Sequence, residues 1–315
     1  MQYKKLGCTN LTVSKLCFGS LTISPLQASL SVDDGADVIL FAMEMGVNFI
    51  DTAEFYNNYQ YINKALKKVK SELIISTKSY AYTYKGMKKS VEKARKETGK
   101  DVIDIFMLHE QETKLTLKGH REALEYLVDA RAKGIIKAIG VSTHTVEVVN
   151  AAANMQEIEV IHPIINYRGL GIKDGNLHDM EKAINNAYNN GKGIYAMKAL
   201  GGGNLINSKN KAFSYVLSFP YLHSIAVGMK SRDEVVANVN IFEGKAVNPV
   251  IEERLSSKKR TLLIEDWCQG CGQCVKHCRH DALYIHNGRS VVNSKACILC
   301  GYCAGYCPEF CIKII

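Results

Sequence analysis

Nine of the chain's 11 cysteines lie between Cys268 and Cys311. Eight of them form two identical runs, Cys268-x2-Cys271-x2-Cys274-x3-Cys278 and Cys297-x2-Cys300-x2-Cys303-x3-Cys307, each cysteine of the second 29 residues after its counterpart. Soft thiolates are the ligands that iron–sulfur clusters select. Structural zinc prefers separated C-x2-C pairs, so three cysteines at x2, x2 spacing, twice over, favour clusters over zinc. Gly270, Gly272 and Gly301 suit a loop that wraps closely around such a group. A disulfide framework would need an oxidising compartment. The N-terminal MQYKKLGCTN has no apolar signal region, so the expected location is cytoplasmic and the thiols are read as metal-binding. Cys311, Cys8 and Cys17 stand outside the eight-ligand count and are expected to be small buried hydrophobes.

A second set of reactive side chains, Asp51, Tyr56, Lys78 and His109, falls at or just past the ends of short apolar runs. Residues 1–245 alternate such runs with amphipathic segments. The expected strands are Leu16–Ser20, Val47–Thr52, Leu73–Lys78, Ile103–His109, Ile136–Ser142, Val160–Ile164, Gly193–Lys198 and Ser224–Val227. The expected helices are 33–45, 60–69, 86–97, 119–132, 145–154, 177–189, 210–218 and 232–240. Eight strand-then-helix units in about 240 residues is the arithmetic of a (β/α)8 barrel. A doubly wound sheet would want a glycine-rich phosphate turn after its first strand, and Phe18-Gly-Ser-Leu-Thr-Ile-Ser-Pro is not one. In a barrel, the four residues share the C-terminal face of the strands, where active sites lie. Gly201-Gly202-Gly203 follows the seventh strand, where barrels commonly bind phosphate, though a plain flexible loop is an equal reading.

The rest of the chain is ordinary for a globular protein: 315 residues, 47% hydrophobic and 23% charged. The net charge of +9 is scattered, with one short run at Lys258-Lys259-Arg260, so neither nucleic acid nor membrane is an expected partner. No stretch approaches the length of a membrane span. Residues 246–262, opened by a short helical stretch at Pro249, read as a connector. Residues 263–315 read as a second, small α+β domain.

The cysteine runs resemble those of bacterial two-cluster ferredoxins, in which the fourth cysteine of each run serves the other cluster. The resemblance implies one [4Fe–4S] cluster on Cys268, Cys271, Cys274 and Cys307, and a second on Cys297, Cys300, Cys303 and Cys278. Arg279 stands where the family has a proline; Pro308 keeps it in the second run. A segment of 53 residues seldom builds a sufficient core by itself, so the clusters are expected to hold it folded.

Residues 1–243 resemble the aldo-keto reductases. The likeness rests on the four strand-end residues, on Lys5-Leu-Gly-Cys-Thr-Asn-Leu-Thr-Val-Ser14, on Gly140-Val-Ser-Thr-His144, and on Gly228-Met-Lys-Ser-Arg-Asp-Glu-Val-Val-Ala-Asn238. It implies an oxidoreductase that reduces a small aldehyde or ketone with NADP(H) or NAD(H), or runs the reverse on an alcohol. Tyr56, five residues after Asp51, becomes the general acid. Lys78 would lower its pKa, Asp51 would hold Lys78, and His109 would orient the carbonyl or relay the proton. The resemblance places Ser142 and His162 at the nicotinamide carboxamide and Met197 at its ring. It places Lys230, Ser231, Arg232 and Asn238 at the adenosine end. Three positions depart from the family: His162 replaces a glutamine, Met197 an aromatic, and Glu234 an arginine of some NADP-preferring members. Two other readings stay open. One is electron transfer with a ferredoxin or flavodoxin partner through a bound flavin; the other is a non-catalytic redox carrier.

Overall fold

The computed structural model describes residues 1–68 and 72–315. A hairpin, β1 (Tyr3–Lys5) and β2 (Thr12–Ser14), precedes eight parallel strands: β3 (Leu16–Gly19), β4 (Phe49–Asp51), β5 (Ile74–Ser79), β6 (Ile103–Leu108), β7 (Ile136–Thr143), β8 (Val160–Pro163), β9 (Gly193–Ala196) and β10 (Ser224–Gly228). They close into a barrel in sequence order, with β10 pairing back onto β3. The fold is the (β/α)8 barrel that the alternating pattern predicts.

Around it lie α1 (Val32–Glu44), α2 (Tyr59–Leu66), α3 (Tyr84–Thr98), α4 (Lys114–Gly119), α5 (Arg121–Ala132), α6 (Val146–Ala153), α7 (Leu177–Asn189), α8 (Lys209–Leu217) and α9 (Arg232–Phe242). Local sequence sets several of their ends. Ser31, Thr83 and Thr145 accept backbone N–H groups at the starts of α1, α3 and α6, and Asn176 and Asp179 form a capping box on α7. The helix expected at 60–69 is α2; Val69 lies outside the described residues. The one expected at 119–132 is α5 (Arg121–Ala132), and α4 adds a short helix between the expected strand ending at His109 and α5.

Two apolar layers hold the barrel. Leu16, Phe18, Ile50, Phe106, Ile139 and Ile161 face the helices. Cys17, Phe49, Ile105, Met107, Ala138, Val160 and Tyr195 pack with Leu6, Leu11 and Val13 of the hairpin. The hairpin plugs the N-terminal end. Gly7 has φ +54°, and a Cβ there would collide with the backbone of Gly193, so close packing itself demands glycine. Cys17 is buried as expected, but Cys8 is exposed, because it sits at the tip of this hairpin.

The connector holds α10 (Pro249–Ser256), which packs on α9. The tail begins at β11 (Leu262–Ile264) and continues through α11 (Gln273–Lys276), β12 (Leu283–His286), β13 (Arg289–Val292) and β14 (Ile312–Ile314). β11 pairs with β14 and β12 with β13. Asn287 and Gly288, both at positive φ, make the tight turn of the second hairpin. Among the described residues, no helix is long and apolar enough to cross a membrane.

The tail does not hang free. Phe310 is 1% exposed and belongs to the barrel's own apolar layer. Its ring lies against Gly171 in the loop after β8. Ile314 N–H donates to Gly202 O at 3.0 Å, and Asn204 Nδ2 donates to Ile312 O at 3.0 Å. The tail therefore sits on the loops at the C-terminal face of the barrel.

Candidate active site and cluster sites

Asp51 ends β4, Lys78 lies near the end of β5, and His109 follows β6. Parallel pairing in register brings them side by side. Lys78 Nζ lies 2.8 Å from Asp51 Oδ1 and 2.9 Å from Oδ2, and donates to the Thr52 carbonyl at 2.7 Å. The Tyr56 ring stands 5.1 Å from Lys78 Nζ and 6.0 Å, edge-on, from the His109 ring. Tyr80 stacks on His109 at 4.1 Å and donates to Glu110 at 2.8 Å.

Burial governs the protonation states. Burial alone would raise the Asp51 carboxyl, but Lys78, His162 and a hydrogen bond from Tyr195 bring it below the ordinary value. His109 is held well below the usual imidazole range by burial and by Lys78, and so is neutral. Tyr56 departs from the expectation that Lys78 would lower it. Burial, then Asp51 and Glu110, push the phenol well above its usual value. The physical reason is that Lys78 is ion-paired with Asp51 and lies over the ring of Tyr56. The pair is neutral overall, and burial prevails. Such a phenol stays protonated at neutral pH.

Tyr195 was not singled out by the sequence. Its hydroxyl donates to Asp51 Oδ1 at 2.7 Å and lies 2.8 Å from Ser76 Oγ. It reaches them from β9, across the barrel interior. Its signal was present but faint: a tyrosine in the fully buried run Gly193-Ile-Tyr-Ala196 must find a partner for its hydroxyl.

The positions that the family likeness assigned to a nicotinamide dinucleotide are largely engaged within the protein. Ser142 Oγ accepts the Glu110 N–H at 2.8 Å. His162 stacks on Tyr195 at 3.9 Å, donates through Nδ1 to the Tyr195 carbonyl at 2.7 Å, and places Nε2 3.6 Å from Asp51. Ser231 caps α9 and accepts Lys258 Nζ at 2.8 Å. Arg232 makes a two-pronged pair with Asp37 at 2.7 and 2.9 Å. Met197 and Asn238 are half-buried, at the end of β9 and within α9. The backbone N–H of Lys230 donates to Glu234 at 2.7 Å. Ser142, His162, Ser231 and Arg232 thus already have hydrogen-bond partners within the protein.

The cysteines suit clusters better than single ions. Cys268, Cys271, Cys274 and Cys307 line one cavity. No three His, Cys, Asp or Glu side chains among the described residues converge on a point that would hold one metal ion. Thiols spread around a cavity fit a cube of iron and sulfide, whereas zinc would need them drawn together. Polar hydrogens already point at the sulfurs: Ser290 N–H at Cys268 (3.5 Å), Ala282 N–H at Cys278 (3.3 Å) and Cys311 N–H at Cys307 (3.4 Å). Burial, then the neighbouring thiols of Cys300, Cys274, Cys297 and Cys278, push the Cys303 thiol up to about 12. Cys311 is buried as expected, but it also lines the first cavity, with its sulfur 3.3 Å from that of Cys307.

Residues 15–214 match the model of the aldo/keto reductase family. The chain belongs to that family. Residues 261–308 match a 4Fe-4S dicluster domain. This family member is 26% identical over 205 residues to the methylglyoxal reductase DkgA of Escherichia coli, covering 61% of this chain and 73% of that protein. It is 22% identical over 192 residues to the L-galactose dehydrogenase of Arabidopsis thaliana, covering 57% of this chain and only 60% of that relative's length. A crystal structure of an aldo-keto reductase from Pseudomonas aeruginosa superposes with a TM-score of 0.67 at 23% identity, over 77% of this chain and 94% of that one, and confirms the barrel fold. The chain thus joins a barrel of the aldo/keto reductase family to a segment that matches a 4Fe-4S dicluster domain.

Proposed function

We propose that this oxidoreductase reduces a small aldehyde or ketone with NAD(P)H, or oxidises the corresponding alcohol, in the cytoplasm. The observation that carries the reading is the buried Lys78–Asp51 pair beneath Tyr56, with neutral His109 at its side. Tyr56 gives its proton to the carbonyl oxygen. The Lys78 ammonium stabilises the phenolate that is left, and Asp51 with Tyr195 fixes the position of that ammonium. His109 orients the carbonyl. A bound nicotinamide would supply hydride, and each [4Fe–4S] cluster would carry one electron.

A second reading is favoured by the place of the tail. Cys307, a ligand of the first cluster by family likeness, is three residues from Phe310, whose ring lies 6.1 Å from that of His144 after β7. That route suits electron transfer from a ferredoxin or flavodoxin partner, with a flavin to join one-electron to two-electron chemistry. The deciding experiment is anaerobic turnover of a panel of aldehydes and ketones with NADPH and with NADH, together with an absorbance spectrum of the purified protein. Turnover that disappears in Tyr56→Phe supports the first reading. Bound flavin with no nicotinamide turnover replaces it with the second.

A further inference from the structure

Barrels commonly hold the phosphates of cofactors and substrates in the loops after the seventh and eighth strands. In this chain those loops follow β9 and β10, and residues from beyond the barrel occupy both. After β9, Gly201, Gly202 and Gly203 all have positive φ (+56°, +65° and +86°). They form no open cradle. A Cβ on Gly203 would overlap the carbonyl oxygen of Ile314, and one on Gly202 would meet the Lys313 side chain at 2.6 Å. Gly202 O accepts Ile314 N–H, and Asn204 Nδ2 is divided between Gly201 O (2.8 Å) and Ile312 O (3.0 Å). After β10, Ser231 Oγ accepts Lys258 Nζ from the connector, which also lies 3.7 Å from Glu234.

The contact is built as tightly as a barrel interior. Phe310, Ile312 and Lys313 are each at most 4% exposed. The Lys313 ammonium lies 3.3 Å from the centre of the Phe310 ring. Glycines in the left-handed region are needed here because a backbone strand is pressed against them. We propose that the docked C-terminal strand and the phosphate end of a nicotinamide dinucleotide exclude one another, so that the cluster domain is a lid over the reductase site. This rests on the nicotinamide reading above and adds its regulation: the dinucleotide enters only when Ile312–Ile314 leaves the β9 loop.

The test uses the anaerobic holoprotein with both clusters, NADPH as the probe, and three readouts: NADPH fluorescence, iron content, and amide exchange at Ile312 and Ile314. Ile314→Pro removes the N–H that bonds Gly202 O and leaves the β9 loop itself unaltered. Phe310→Ala, which removes the ring packed against Gly171, is the second variant should the first fail to fold. At unchanged iron content, both should bind NADPH at least about tenfold more tightly than the parent. In the parent, saturating NADPH should accelerate exchange of the Ile314 amide. Tight NADPH binding by the parent with Ile314 still protected would overturn the lid alone, as would weaker binding in the undocked variants, which would mean that the tail completes the site. Absence of NADPH and NADH binding in parent and variants alike would remove the nicotinamide reading and the lid with it.

Discussion

Phe310 of the iron–sulfur tail meets His144 of the barrel edge to face, with ring centres 6.1 Å apart. His144 is itself buried, with its Nδ1 lacking a hydrogen-bond partner. Phe310 therefore ties the two domains where cluster and catalytic mouth approach each other. Phe310→Ala should cost about 3–5 kcal/mol, the range for deleting a fully buried aromatic side chain. The loss should fall on docking. Far-UV dichroism and cluster absorbance, which should melt together in the parent, are expected to separate. A single unchanged transition would show that the contact contributes nothing.

Tyr56→Phe keeps the ring over Lys78 and removes the proton. Carbonyl reduction should drop by roughly 10²–10⁴-fold, the usual cost of losing a positioned acid. Steady-state kinetics on a substrate found in the panel checks this, and a rate equal to the parent's would assign the acid elsewhere.

Tyr195→Phe removes the hydroxyl that Asp51 Oδ1 and Ser76 share. A buried acceptor left without its donor costs about 1–3 kcal/mol, so the barrel's denaturation midpoint should fall. Because Asp51 loses one of the groups that depress its pKa, the low-pH limb of the activity profile should move upward. A lower midpoint with an unmoved limb would reduce Tyr195 to a packing residue.

Anaerobically prepared protein should contain about eight iron and eight sulfide per chain. Cys271→Ser should lose one cluster's worth of both and loosen the tail, as seen by metal analysis and by electron paramagnetic resonance after reduction. Stoichiometric zinc in iron-replete protein would reject the assignment.

His162 is pushed down to about 4, first by burial, with Asp51 acting in the opposite direction. Its unfolded value is near 6.5. Between those values the unfolded chain binds the extra proton, so stability rises with pH across the interval. It is complete above about 6.5 and is lost as pH falls toward 4, at roughly 1.4 kcal/mol per pH unit for this one group. His162→Gln should flatten that slope. Urea midpoints of parent and variant at pH 5 and pH 7 make the comparison, and equal slopes would show that His162 is not the titrating group.

Much of this protein was legible in order and spacing alone. The alternation of apolar runs with amphipathic helices determines a barrel, because each strand buries both faces and each helix one. The two cysteine runs determine the ligand chemistry, because it depends on side-chain type and on short loops. Asp51, Lys78 and His109 could be placed on one face because they sit at the ends of neighbouring strands. Tertiary structure decided what depends on distant segments meeting. Tyr195 reaches Asp51 from 144 residues away. Burial sets the Tyr56 phenol against the direction that Lys78 alone would impose. Gly202 and Gly203 after β9 are pressed against Lys313 and Ile314 of the chain's own last strand. No local pattern encodes that meeting, since the tail's side of it is an ordinary apolar run, Phe310 to Ile314, whose burial is settled only when the two domains close on each other.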